Sequence, residues 1–170
     1  LSYEKLKDFK FNNLEKINCS VVIMAGGTGT RLRPYTEVLP KPLLPIDGKP
    51  TIRHILEKFS YHKPTNFFVI INYKSEILKS YFSEIRDSFK VKIIKENKPL
   101  GTAGGLYFLK NRVKNNFFLT NCDTIINTNY HDILDFHLKE NNDLTAVVTK
   151  KLFCIPYGIF KNDKKKIYFT

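Results

Sequence analysis

The chain has 170 residues, 42% of them apolar, and its 28 basic against 16 acidic residues give a net charge of +12. That length supports one domain with its own core, and no apolar run approaches the length of a membrane span, so the chain reads as a soluble globular protein. The charge excess comes from lysines scattered along the chain among abundant asparagines, which reads as a solvated surface and not as a nucleic-acid footprint; such a surface still attracts small anions.

Residues 1–20 mix charged and apolar positions, carry no signal-peptide pattern and read as a linker or the tail of an upstream domain. Residues 21–24 (VVIM) read as a buried strand, followed at once by the glycine- and proline-rich stretch AGGTGTRLRPYTEVLPKP at 25–42. Residues 51–62 have helical spacing through Ile52, Ile55, Leu56 and Phe59, and 67–72 (FFVIIN) read as a strand. Residues 75–89 predict a helix capped by Ser75, with Ile77, Leu78, Tyr81, Phe82, Ile85 and Phe89 on one face. Residues 90–96 predict a strand, 102–113 a helix weakened at its start by two glycines, and 116–121 a strand. Residues 130–141 predict a helix with Asn129 or Thr128 as cap, 144–150 (LTAVVTK) a strand, and 158–169 a hairpin about Asn162 and Asp163.

This alternation predicts a mostly parallel, three-layer α/β sheet flanked by helices. Such sheets bind ligands at the carboxyl ends of their strands, beside the point where strand order reverses. The loops at 26–31 and 101–105 and the residue Asp123 all fall there. Cys19, Cys122 and Cys154 are an odd set without metal-ligand spacing and suit a reducing cytoplasm, and the four histidines form no HExxH pair.

The glycine stretch is neither a P-loop nor a dinucleotide fingerprint, because it lacks GxxxxGK[ST] and gives GxGxxL in place of GxGxxG. Glycines let backbone N–H groups converge on an anion, and Arg31 adds a fork of donors suited to phosphate oxygens. Lys41 stands between Pro40 and Pro42, whose fixed φ angles stiffen the backbone that carries it. The pattern favours phosphate binding over a purely structural turn.

AGGTGTRLRPYTEVLPKPLLPIDGKP at 25–50 resembles the GGxGTRLxPxTxxxPKPLxPxxxKP motif of sugar-phosphate nucleotidylyltransferases. The similarity continues to about Gly158 through PLGTAGGL, LTNCD and IPYG. The resemblance implies a Rossmann-like (GT-A-like) fold and the transfer of NMP from an NTP to a sugar 1-phosphate, giving an NDP-sugar and pyrophosphate. Within the family the sequence is most similar to bacterial members of surface-glycan biosynthesis, some of which carry CBS domains upstream of a region like 1–20. Residues 21–170 then form a nucleotidyltransferase domain that stops short of the family's downstream sugar-binding Glu and Lys and second metal-binding Asp. The expected protein is cytoplasmic, with an NTP and a sugar 1-phosphate as partners, neither nucleic acid nor membrane, and with homo-oligomerisation left open.

The resemblance also assigns roles. Ala25, Gly26, Gly27, Gly29 and Thr30 would bind nucleotide, Arg31 would hold the triphosphate and the departing pyrophosphate, and Lys41 would contact phosphates of both substrates. Asp123 would bind Mg²⁺, against the alternative of a turn aspartate. Cys122, where most relatives have Gly, reads as a packing residue. Glu96, Gly101 and Thr102 would face the base. A carboxylate at 96 matches the two donors of guanine's N1–H and N2–H₂ edge, whereas uracil or thymine suits Gln better, so GTP is favoured; the alternative is an exposed strand-end glutamate. Tyr157 and Gly158 resemble the sugar-facing step, although Phe160 and Lys161 follow where many relatives have an acidic residue. His131 and His137 read as structural or surface residues.

The implied reaction needs no general base, because a phosphate monoester with a second pKa of about 6 is already ionised. Its obstacle is electrostatic. Like charges about 4 Å apart repel by about 4 kcal/mol at an effective dielectric of about 20, roughly a thousandfold in rate. Cations must offset that repulsion. Two rival readings remain: a catalytically inactive nucleotide- or sugar-nucleotide-sensing module, and a basic nucleic-acid-binding protein.

Overall fold

The computed structural model describes residues 15–98, 100–101 and 103–152, together with the backbone of two strands at 160–163 and 166–169. The expectations for 1–14, Thr102, Tyr157 and Gly158 lie outside the described residues.

Four parallel strands form the central sheet: β1 (Ser20–Ala25), β4 (Phe67–Ile71), β5 (Val91–Lys95) and β6 (Phe117–Asn121), in the order β5-β4-β1-β6. A short antiparallel ribbon, β2 (Pro45–Ile46) with β3 (Lys49–Pro50), interrupts the long connection after β1. Strand residues alternate between two cores, as the two-residue period of a strand requires. Val21, Ile23 and Ala25 of β1 join Phe67, Val69 and Ile71 of β4 on one face. Val22, Phe68 and Ile70 join Ile94 and Leu109 on the other. β4 is buried throughout, as befits an inner strand covered on both faces.

Helix α2 (Thr51–Ser60) buries Ile52, Ile55, Leu56 and Phe59, the stripe its spacing predicts. With α3 (Ser75–Glu84) and α4 (Tyr130–Lys139) it covers the first face. Asn129 caps α4, its side-chain oxygen accepting from the His131 N–H at 3.1 Å.

Several local expectations are corrected. Ser75 is not the cap of α3. Lys74 holds that position in left-handed backbone, and the Ser75 hydroxyl donates instead to Glu76 Oε1 at 3.2 Å. The helix ends at Glu84, and Ile85 and Phe89 stay buried through the turns that follow. Ile77 lies outside the buried stripe, which runs through Leu78 and Phe82.

The described residues 103–113 hold no α-helix where 102–113 predicts one; a 3₁₀ segment, Gly104–Leu109, packs Leu106 and Leu109 on the second sheet face as a thin third layer. A Cβ on Gly105 would overlap Glu96 Oε1 and stand 2.7 Å from Ile70 Cγ2. Close approach to the sheet fixes glycine there, and paired glycines disfavour the α-helix.

Residues 144–150 form no strand. Leu144 and Val148 are 83% and 86% exposed, and Thr145 is tied back to α4 through His137 Nδ1 at 3.0 Å. Strand propensity reflects pairing and half-burial, and this stretch has neither. The hairpin is present as antiparallel β7 (Phe160–Asp163) and β8 (Lys166–Phe169), but Asn162 pairs with Ile167 and Asp163 with Lys166, so both lie within β7 and do not form the turn.

Candidate active site

A cleft of about 630 Å³ opens at the carboxyl ends of the strands. It straddles β1 and β6, where the chain's strand order reverses, the crevice that open α/β sheets use for ligands. Gly26, Gly27, Gly29, Thr30, Arg31, Lys41, Glu96, Gly101 and Asp123 all line it, so nine sequence-predicted residues meet in one place. Ala25 does not: its side chain lies in the core beneath β1.

The glycines earn their places individually. Gly29 (φ +67°) and Gly101 (φ +83°) occupy left-handed backbone. A Cβ on Gly29 would stand 2.8 Å from Thr36 Cγ2 and 3.2 Å from Lys41 Cβ, so the loop packs directly on the Lys41 stem. A Cβ on Gly26 would stand 3.1 Å from Glu96 Oε2. Gly27 has nothing within 4 Å of that position and leaves its side of the cleft open. Arg31 lies in an exposed 3₁₀ turn, Thr30–Leu32, directly after Gly29.

Lys41 begins a second 3₁₀ turn, Lys41–Leu43, with Pro40 as its cap and Pro42 inside it. Its Nζ lies 2.6 Å from Asp123 Oδ2, both side chains remaining partly exposed. Asp123 is placed by β6: the Cys122 N–H donates to the Met24 carbonyl at 3.1 Å and carries the sheet ladder to the cleft floor. Burial pushes the Cys122 thiol up to about 11, so it is a protonated packing group at neutral pH.

Glu96 is 5% exposed, which rules out the exposed strand-end alternative. Its N–H donates to the Ile71 carbonyl at 2.8 Å, and its own carbonyl accepts from Asn72 Nδ2 at 2.9 Å. Its Oε1 is buried without a hydrogen-bond partner among the described residues, and burial holds the carboxyl above the ordinary glutamate range. Asn72 was not among the residues predicted from sequence; its signal is a lone polar residue at the end of the apolar run FFVII. His131 and His137 stand away from the cleft, in contact with Glu15 and Thr145.

The sequence matches the family described as Nucleotidyl transferase over residues 20–168. The chain belongs to that family. It is 34% identical over 143 residues to the mannose-1-phosphate guanyltransferase of Aspergillus oryzae, covering 81% of this chain and 39% of that protein. It is 38% identical over 115 residues to the bifunctional protein GlmU of Methanococcus maripaludis, covering 68% of this chain and 27% of that protein. Among solved structures, HddC from Yersinia pseudotuberculosis complexed with GMP-PN superposes with a TM-score of 0.64 at 30% identity, covering 71% of this chain and 54% of that one. The chain therefore spans about two-fifths of the length of the guanyltransferase relative. A UDP-glucose pyrophosphorylase, 17% identical with a TM-score of 0.61, shares the fold. The chain thus has the Rossmann-like parallel sheet flanked by helices that its strand–helix alternation predicts.

Proposed function

We propose that this nucleotidyl transferase moves GMP from GTP to a sugar 1-phosphate, releasing pyrophosphate. The observation that carries the reading is the meeting of Lys41 and Asp123, 2.6 Å apart beside the glycine loop at the β1/β6 crevice. Backbone N–H groups of the glycine loop and the guanidinium of Arg31 bind the triphosphate and receive the charge that develops on pyrophosphate. Lys41, held on a proline-flanked turn, stands between the nucleotide and the incoming sugar phosphate and offsets their repulsion. No side chain is needed to remove a proton from the nucleophile.

The donor set fits a magnesium ion. Among the described residues no cluster of three His, Cys, Asp or Glu forms an all-protein cage. Magnesium is commonly held by one or two carboxylates with phosphate oxygens and waters completing its shell, and Asp123 at the cleft offers one such carboxylate. When bound there, the ion would neutralise phosphate charge and orient the α-phosphate.

Guanine is favoured on two grounds. The Glu96 carboxylate, whose Oε1 is buried with no hydrogen-bond partner among the described residues, suits a base edge with two donors, and the mannose-1-phosphate guanyltransferases and the HddC complex with GMP-PN point the same way. The guanyltransferase relatives also favour mannose 1-phosphate or a similar sugar phosphate as acceptor.

The test is pyrophosphate release by the full-length protein, with magnesium, over four NTPs and a panel of sugar 1-phosphates. Turnover with GTP and a mannose- or glucosamine-type phosphate is expected, and Lys41→Met and Asp123→Asn should each lower kcat by about 10²–10³. Nucleotide binding by calorimetry without any product would replace the proposal with a sensing module. Binding of neither nucleotide nor sugar phosphate would end it.

A further inference from the structure

The glycine loop is held from behind by two residues, Thr36 and Tyr73. Thr36 belongs to the short helix α1 (Tyr35–Val38) and is 1% exposed. Its hydroxyl donates to the Gly29 carbonyl at 3.0 Å, and its methyl abuts Gly29. The Thr36 carbonyl in turn accepts from the Tyr73 hydroxyl at 3.2 Å. Tyr73, just beyond β4, also donates its N–H to the Gly26 carbonyl at 3.4 Å. Two loop carbonyls, Gly26 and Gly29, are thereby drawn into the protein.

In a planar trans peptide the carbonyl and the next residue's N–H point in opposite directions. Turning the Gly26 and Gly29 carbonyls inward therefore turns the N–H groups of Gly27 and Thr30 outward. Both residues line the cleft. Two N–H groups three residues apart on one loop, facing the same cleft, offer donors to an anion there.

We propose that Thr36 and Tyr73 are positioning residues that aim the Gly27 and Thr30 N–H groups at the nucleotide phosphates. The proposal rests on the nucleotide-binding reading above and goes beyond it by locating what sets the loop's orientation. Thr36 acts through the Gly29 carbonyl that its hydroxyl pins; Tyr73 acts through its backbone N–H on the Gly26 carbonyl and through its hydroxyl on the Thr36 carbonyl, which steadies Thr36.

The test uses the full-length protein with Thr36→Val, Thr36→Ser and Tyr73→Phe. Affinity for a non-hydrolysable GTP analogue should fall about threefold to tenfold in Thr36→Val, the span of one neutral hydrogen bond, and return in Thr36→Ser. KM for the sugar 1-phosphate should stay unchanged. A second readout needs no nucleotide. Arg33 and Lys41 precede prolines and resist trypsin, so cleavage after Arg31 reports on the loop alone. That cleavage should accelerate in Thr36→Val and revert in Thr36→Ser, while cleavage at lysines elsewhere keeps its rate.

Unchanged affinity and unchanged cleavage at Arg31 in Thr36→Val would overturn the proposal. Should Thr36→Val unfold, seen as rapid cleavage throughout, Tyr73→Phe decides, with a smaller effect expected in the same two readouts. Wild-type protein that binds no nucleotide would defeat the functional reading, whereas faster Arg31 cleavage would still establish that Thr36 holds the loop.

Discussion

Replacing Glu96 by Gln should move nucleotide choice and thermal stability in opposite directions. The change is nearly isosteric, and the site is 5% exposed with Oε1 lacking a partner. In the proposed complex the carboxylate accepts from guanine's two donors. Gln keeps one acceptor and adds a donor, which mismatches guanine and matches uracil. Losing one charge-assisted hydrogen bond costs about 1.5–3 kcal/mol, so the ratio of kcat/KM for GTP over UTP should fall about tenfold to a hundredfold. Without nucleotide the sign reverses. Burial raises the Glu96 pKa in the folded chain, so the folded state favours the protonated carboxyl and ionisation destabilises it. That destabilisation is absent below the unfolded value of about 4.3 and grows as pH rises through the folded value. Gln carries no charge and escapes it. Removing about 1 kcal/mol of penalty, the low end for a buried partnerless group, should raise the melting temperature of a chain this size by about 2–4 °C near neutral pH. The gain should vanish as the buffer is acidified. Differential scanning fluorimetry across pH, with steady-state kinetics on GTP and UTP, measures both. A variant that keeps its GTP preference and melts lower would refute the reasoning.

Three further outcomes follow from the packing. Gly105→Ala places a methyl against Glu96 Oε1 and 2.7 Å from Ile70 Cγ2, so it should cost about 1–3 kcal/mol, read as a lower melting temperature. Gly27→Ala, with nothing within 4 Å, should melt as wild type while weakening nucleotide binding in calorimetry. His62 is wholly buried, its Nδ1–H donating to the Glu15 carbonyl at 3.1 Å, and burial lowers its pKa. Its contribution to stability is therefore complete above the unfolded value of about 6.5 and is lost as pH falls from there through the lowered folded value; His62→Gln should flatten that part of the melting profile.

The sheet was legible because its strands are apolar runs separated by amphipathic stretches, and β1, β4, β5 and β6 all fall where those runs lie. The cleft was legible for a different reason. Glycine, arginine and a proline-flanked lysine placed after a strand have few joint uses other than holding an anion. What escaped the sequence depends on contacts distant in the chain. The 3₁₀ segment, Gly104–Leu109, is set by the closeness of Gly105 to Glu96 and Ile70, which no local propensity records. Residues 144–150 have the composition of a strand but no neighbour to pair with among the described residues. Asn72, Thr36 and Tyr73 act on backbone carbonyls at positions 24, 7 and 37 residues away, and single polar residues give no periodic signal.

The site also divides its charges by exposure, and that division follows from what each charge is asked to do in the proposed reaction. Lys41 and Asp123 form a partly exposed pair, 2.6 Å apart. Exposed pairs contribute about 0–1 kcal/mol, so separating this one costs little when a phosphate draws on the lysine or a cation on the aspartate. A deeply buried pair would resist the same exchange, since freeing one partner would strand the other's charge away from water. Glu96 is the opposite case. It is buried beside Gly26 and Gly105 and has no partner for Oε1 among the described residues, so its ionised form is costly until a ligand supplies donors. Such a group rewards a base that offers donors and penalises one that presents an acceptor, because the carboxylate can only accept. An exposed glutamate would be hydrated in either case and would discriminate weakly. Burial of Glu96 thus favours selection of the base, while exposure of Lys41 and Asp123 favours rapid exchange of partners around the phosphates.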